Sequence, residues 1–322
     1  MKRLLPFFLC VLLLTGCSPA EKPQSVTGFY FDTVISITTY GGTDALMTEA
    51  LARCKDYENL LSKTREQSDV WKINHANGAR TPIDHDTRAI LETALRYGEL
   101  SGGKFDVTIA PVSALWDFKA ETPAVPDKKT LAKAAEMVDY RAVDLNEEGV
   151  QLPAGHQIDL GGIAKGYITD QIAAFLRENG IESAYLNFGG NVLTIGTKPD
   201  GTPWTIGLQD PKGEAGEVIA TVPATDLSVV TSGIYERGFT VDGTYYHHIL
   251  DPQTGYPIEN NLAAVSILTP NSMNADALST TCFALGETEG MALIESLPDV
   301  EAVFITRDGT LQKSSGAQVT EQ

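Results

Sequence analysis

Between residues 184 and 269 the chain carries seven apolar, β-branched runs with few residues between them: AYLNFGGNVLTIG, WTIGLQD, EVIATVPA, LSVVTSG, YERGFTVDG, YYHHILD and AAVSILT. Links that short cannot carry a helix back across a sheet, so neighbouring strands must turn on themselves and pair antiparallel. Asp242-Gly243 in VDGTYY is a hairpin signal of this kind. Helical spacing lies outside the block. It runs over Asp44–Leu61, from the capping Asp84 to Leu100, near 129–138, and over Ile163–Glu178 with Ile168, Ile172, Phe175 and Leu176 as its buried stripe. Asn271 caps a helix to Leu285, and another starts at Glu287. Further strands are expected at 30–41, in a pair over 141–152, and in a closing pair over 302–312, while 62–70 reads as a polar loop. Strands in runs with helices grouped between them indicate an α+β fold of mainly antiparallel sheets with packed helices.

The first residues are a separate matter. Met1-Lys2-Arg3 is a basic start, residues 4–14 form an apolar run too short to span a bilayer comfortably, and LTGC (14–17) brings small residues up to a cysteine. This spacing resembles a bacterial lipobox. Residues 1–16 are therefore expected to be a lipoprotein signal peptide, and Cys17 the lipidated residue that anchors an extracytoplasmic domain to a membrane. Polar, Pro- and Ser-containing residues 17–28 read as a tether, 29–314 as the folded domain and 315–322 as a tail.

The chain holds 24 Lys and Arg against 42 Asp and Glu, a net charge of −18, and loss of Lys2 and Arg3 with the leader would make it more acidic still. That balance argues against nucleic acid as a partner. A phosphate ligand stays open if the site supplies its own cation. Past the lipobox only Cys54 and Cys282 remain, too few to staple a chain this long, so a hydrophobic core must hold it.

Three stretches could carry chemistry. In IDLGGIAKG (158–166), Gly161 and Gly162 allow close backbone approach, and Lys165 falls in the first helical turn, where a cation opposes the helix dipole unless an anion binds beside it. The plainer reading is an Asp159–Lys165 salt bridge over a glycine turn. In the Asn271 helix, Asp276 and Thr280 share one face and offer two hard oxygens to a cation such as Mg²⁺; alternatively the Asp favours the dipole and the Thr bonds back to a carbonyl. His247 and His248 alternate on a strand, so one points inward, either as a base beside a phosphate or as part of a solvated strand end. Asp106 could meet a polar ring edge or simply close a turn, and Ser232 lacks the setting of a nucleophile.

Read in order, DLGGIAKGY, NFGGNVLTIG, TSGIYER, HHILDPQTGYP and ADALSTTCFALG resemble one family, the FAD:protein FMN transferases of the ApbE type, over residues 29–312. The resemblance implies a fold of T-fold-like halves. It also implies an enzyme that binds FAD with Mg²⁺, transfers the FMN moiety to a Thr or Ser hydroxyl of an acceptor flavoprotein, and releases AMP. Acceptors of the family tend to be redox subunits in membranes, with a D-G-x-T-like motif. The metal ligands carried over are the Gly162 carbonyl, Asp276 and Thr280. The FAD contacts carried over are Phe31, Thr64, Lys104, Phe105, Asp106, Asp159, Lys165 and Leu250, with His248 at the motif histidine as candidate base. Two departures stand out. Phe31-Asp32-Thr33 replaces a usual M-G-T, and Ser62-Lys63-Thr64 puts a threonine where the family stacks an aromatic, so Phe31 is expected to compensate. The rival readings are an Mg²⁺-dependent FAD pyrophosphatase and a flavin-binding lipoprotein without catalysis. The Asp276/Thr280 pair argues against the second.

Overall fold

Every strand pairing among the described residues of the computed structural model is antiparallel, as the short links dictate. The structure describes residues 22–214 and 216–322; the leader and Cys17 lie outside the described residues. Strands β1 (Pro23–Tyr30) and β2 (Thr33–Tyr40) form a hairpin, followed by helices α1 (Asp44–Leu61), α2 (Asp69–His75), α3 (His85–Leu100), α4 (Ala110–Ser113) and α5 (Lys128–Ala135). The small hairpin β3 (Asp144–Asn146) and β4 (Gly149–Gln151) leads into α6 (Ala164–Glu178). Strands β5 (Ser183–Phe188), β6 (Asn191–Ile195), β7 (Trp204–Gln209), β8 (Val218–Ala224), β9 (Ser228–Gly233), β10 (Gly238–Val241), β11 (Thr244–His247) and β12 (Leu262–Thr269) follow. Helix α7 (Ser272–Ser296) and strands β13 (Glu301–Thr306), β14 (Leu311–Lys313) and β15 (Thr320–Glu321) complete the chain.

The main sheet has eight strands in the order β1-β2-β5-β6-β9-β12-β13-β14. It divides into two like halves. Each is a strand pair, then helical chain, then a second strand pair, and the halves join edge to edge through β6 and β9. Helices α1, α6 and α7 cover one face. Ile168, Ile172 and Leu176 of α6 are fully buried there with Ile35, Phe188 and Phe283, and each such side chain contributes about 2 kcal/mol of burial. The small sheet β15-β8-β7 covers much of the other face through Ile206, Val222, Val229 and Ile305.

Four boundaries differ from the sequence reading. Residues 23–28, read as tether, belong to β1, whose whole length pairs with β2. The strand expected from Tyr30 instead starts at Thr33, because Phe31 and Asp32 take left-handed backbone (φ 53° and 65°) and form the hairpin turn. Residues 69–75, partly read as loop, form α2, whose Ser68 cap accepts from the Trp71 N–H. The tail is held too, since Thr320 and Glu321 pair with β8. The break expected between Leu285 and Glu287 is real. Gly286 sits there at φ 81°, a conformation open to glycine, and divides α7 into two helical segments.

Candidate functional site

The site begins where the first turns of α6 and α7 touch. A Cβ on Gly166 would lie 2.2 Å from the Ser272 carbonyl oxygen, so only glycine allows the two backbones to come this close. The approach brings Asp276, 3% exposed, onto the start of α6. The Gly166 N–H donates to its Oδ2 at 2.9 Å, and Lys165 Nζ lies 3.2 and 3.4 Å from its two oxygens. Lys165 also donates to the Gly161 carbonyl at 3.2 Å. A buried carboxylate needs such a partner.

Asp159 pairs with a different lysine from the one the sequence suggested. It accepts from Lys63 Nζ at 2.5 Å, Ser113 Oγ at 3.1 Å and the Gly161 N–H at 2.9 Å. Burial pushes its carboxyl pKa up, but the Lys63 charge and these hydrogen bonds outweigh that and hold it below the ordinary value. The loop itself is clamped by Asn74 of α2, whose amide accepts from the Ile158 N–H at 2.7 Å and donates to its carbonyl at 2.9 Å.

Thr280 faces the same space. Its hydroxyl lies 3.3 Å from Ser232 Oγ, while Ser279 makes the bond back to the Asp276 carbonyl at 2.8 Å. Gly162 is the third wall: a Cβ there would lie 3.7 Å from Thr280 Oγ1 and 3.2 Å from the buried Phe105 ring. Asp276, Thr280, Gly162 and Lys165 thus gather from two helix starts and one loop.

Of the two histidines, His247 is the inward one. It is buried, its Nε2 is 3.1 Å from the Ile258 carbonyl, and its ring meets Phe283 edge-on. His248 is half-buried, with its backbone N–H and Nδ1 both on the Arg237 carbonyl at 3.1 and 3.3 Å. Burial, then the nearby Arg237 charge and more weakly that of Lys165, pushes its pKa down to about 4. At neutral pH the imidazole is therefore uncharged. Nδ1–H faces the carbonyl and Nε2 keeps its lone pair. Leu250 is buried and bridges to Pro257.

The remaining positions frame this centre. Lys104 Nζ binds Asp251 at 2.9 Å. Asp106 is saturated by Thr108 and the Tyr140 N–H, and burial raises its pKa. The Phe31 N–H donates to Glu58 at 2.9 Å, and its neighbour Asp32 binds Lys119 and stands 3.9 Å from Arg237. Thr64 only closes a turn with Ser62. Sequence reasoning did not find Lys63, Asn74 or Ser113. Lys63 was within reach, as the cation beside the missing aromatic; the other two are set by tertiary contacts alone.

The sequence profile of the ApbE family matches residues 31–304. Among curated relatives, a FAD:protein FMN transferase of Treponema pallidum is 37% identical over 289 residues, covering 84% of this chain and 80% of its own. One of Klebsiella pneumoniae is 35% identical and covers 92% and 93%. Among solved structures, the ApbE protein of Thermotoga maritima superposes with a TM-score of 0.84 at 31% identity, over 91% of this chain and 97% of its own. The apo flavinyl transferase ApbE of Pseudomonas stutzeri gives 0.81 at 28%, over 92% and 96%.

Proposed function

The chain belongs to the ApbE family, and from that premise we propose how its residues carry out the family's reaction. It is an FAD:protein FMN transferase, which moves the FMN moiety of FAD to a hydroxyl of an acceptor flavoprotein and releases AMP. The observation that carries the site assignment is the buried Asp276 beside Thr280, Gly162 and Lys165.

These residues suit a hard cation. One carboxylate, one hydroxyl and one backbone carbonyl are all oxygen donors, the kind of set a hard cation takes. We assign Mg²⁺ to Asp276, Thr280 and the Gly162 carbonyl. Bound there, it would supply Lewis-acid stabilisation to the diphosphate and the departing AMP. The chain's own part is positioning and charge. Lys165 and the start of α6 offer positive potential to the diphosphate within a chain of net charge −18. Asp159, fixed by Lys63 and Ser113, holds the nucleotide side of the loop, and Phe31, Phe105 and Leu250 offer apolar contact. His248 Nε2 accepts the proton of the acceptor hydroxyl. The hydroxyl oxygen forms the new bond to the FMN phosphorus, the bond from that phosphorus to the AMP oxygen breaks, and AMP leaves with the electron pair.

The LTGC motif supports anchoring through Cys17, with the domain extracytoplasmic and the acceptor a redox subunit of the same membrane carrying a D-G-x-T-like segment. The test is the intact mass of an acceptor domain after incubation with the protein, FAD and Mg²⁺. A gain of one FMN, lost with a chelator and in Asp276→Ala, supports the reading. FMN and AMP in solution with an unmodified acceptor would make the protein an FAD pyrophosphatase instead.

A further inference from the structure

Three hydroxyls meet where α7 lies against the main sheet. Ser232 stands near the end of β9, opposite Val265 of β12, and α7 packs on both strands. Its Oγ lies 2.7 Å from Ser279 Oγ and 3.3 Å from Thr280 Oγ1. Ser279 is fully buried and Ser232 half-buried.

A hydroxyl has one proton to give, and that fixes the direction of each bond. The Asp276 carbonyl can only accept, so Ser279 spends its proton there, at 2.8 Å. Between Ser279 and Ser232 the proton must then come from Ser232. With that proton committed, Ser232 can only accept from Thr280. The chain runs from the Thr280 O–H to Ser232, from the Ser232 O–H to Ser279, and from the Ser279 O–H to the main chain of Asp276. It ties together the two residues whose side-chain oxygens face the site.

The consequence falls on Thr280. A helical threonine commonly bonds back to a carbonyl three or four residues before it, which turns its hydroxyl along its own helix. Here its proton is drawn across to β9 instead. The oxygen lone pairs are left to the space Thr280 shares with Gly162, where a Cβ on the glycine would lie 3.7 Å from Thr280 Oγ1. A hydroxyl ligates a cation through a lone pair, so the group that takes its proton also sets its aim.

We propose that Ser232 is a positioning residue for the metal: by accepting the Thr280 proton it holds that hydroxyl as an oxygen ligand. This rests on the assignment of Mg²⁺ to Asp276, Thr280 and the Gly162 carbonyl. The proton of Ser232 goes to a serine hydroxyl and not to a base, so the residue serves as an acceptor and not as a nucleophile.

The test is Mn²⁺ titration by electron paramagnetic resonance into the FAD-loaded protein. The variants are Ser232→Ala, Ser232→Cys, Ser232→Thr, Thr280→Val and the Ser232→Ala/Thr280→Val double variant. Thermal melts without metal check folding, and cysteine, close to serine in size but a weak acceptor, covers the case in which alanine unsettles β9. Mn²⁺ binding is expected to weaken by about tenfold in Ser232→Ala and Ser232→Cys and to be retained in Ser232→Thr. In the Thr280→Val background, Ser232→Ala should cost nothing further. Wild-type Mn²⁺ affinity in the alanine and cysteine variants overturns the proposal. An undiminished loss from Ser232→Ala in the Thr280→Val background also overturns it, because Ser232 would then act through something other than Thr280. If Thr280→Val alone binds Mn²⁺ as tightly as wild type, the metal assignment fails first, and the proposal with it.

Discussion

Lys165 and Asp276 are 111 residues apart in sequence and meet at 3.2 Å, where the first turn of one helix crosses that of another. Neither helix needs the pair for its own stability, since Lys165 opposes the dipole of α6. The energetics of the pair can be measured separately from turnover.

Replacing Lys165 by Met leaves Asp276 buried with one N–H donor from Gly166. Loss of about 1–3 kcal/mol in unfolding free energy is expected, with part of it restored in the Lys165→Met/Asp276→Asn double variant. Denaturant unfolding of the four proteins checks this; strictly additive losses would mean that the two residues do not interact.

Gly166→Ala tests the crossing itself. The added methyl would meet backbone at 2.2 Å, which no side-chain rotation relieves. A loss of about 1–3 kcal/mol is expected, together with a larger loss of FAD affinity than in a surface Gly→Ala control. Thermal melts and flavin titration read both.

Burial pushes the His247 pKa down from 6.5 to about 4. Between those values the unfolded chain binds more protons at this residue than the folded one, so stability falls as pH drops through the window. Relative to His247→Gln, the wild type should lose about 2–3 kcal/mol between pH 6.5 and 4. Parallel pH dependences for the two proteins would contradict the assignment.

His248→Asn should lower kcat for transfer by about 10²–10⁴ while FAD affinity stays nearly constant, as expected of a base that acts only in the reaction. An equal loss in FAD binding would make His248 a binding residue instead.

Much of this was legible in the sequence, and the reasons are physical. The antiparallel order followed from link length, and the α7 break from a single glycine. That Asp276 and Thr280 share one helix face was legible from spacing whatever the tertiary fold; their proposed role as ligands came from the family resemblance. The pairing of the lysines was not legible, because Asp159 had Lys165 six residues away, and only the folded chain brings Lys63 closer. The start of the first strand was misread because Phe31 and Asp32 adopt left-handed backbone, which Asp tolerates but a bulky Phe does not favour. Such a turn is tolerated where the surroundings fix it, and here Glu58, Lys119 and Arg237 do so.

The central claim is that Asp276 anchors a metal at the FAD diphosphate. The most direct test is titration of Mn²⁺, as a spectroscopic stand-in for Mg²⁺, into the FAD-loaded protein by electron paramagnetic resonance, with Asp276→Asn alongside. The isosteric amide keeps the Gly166 N–H bond and removes the charge. The account predicts one tight site in the wild type and at least about tenfold weaker binding in the variant. Equal Mn²⁺ affinity in the two proteins would contradict it.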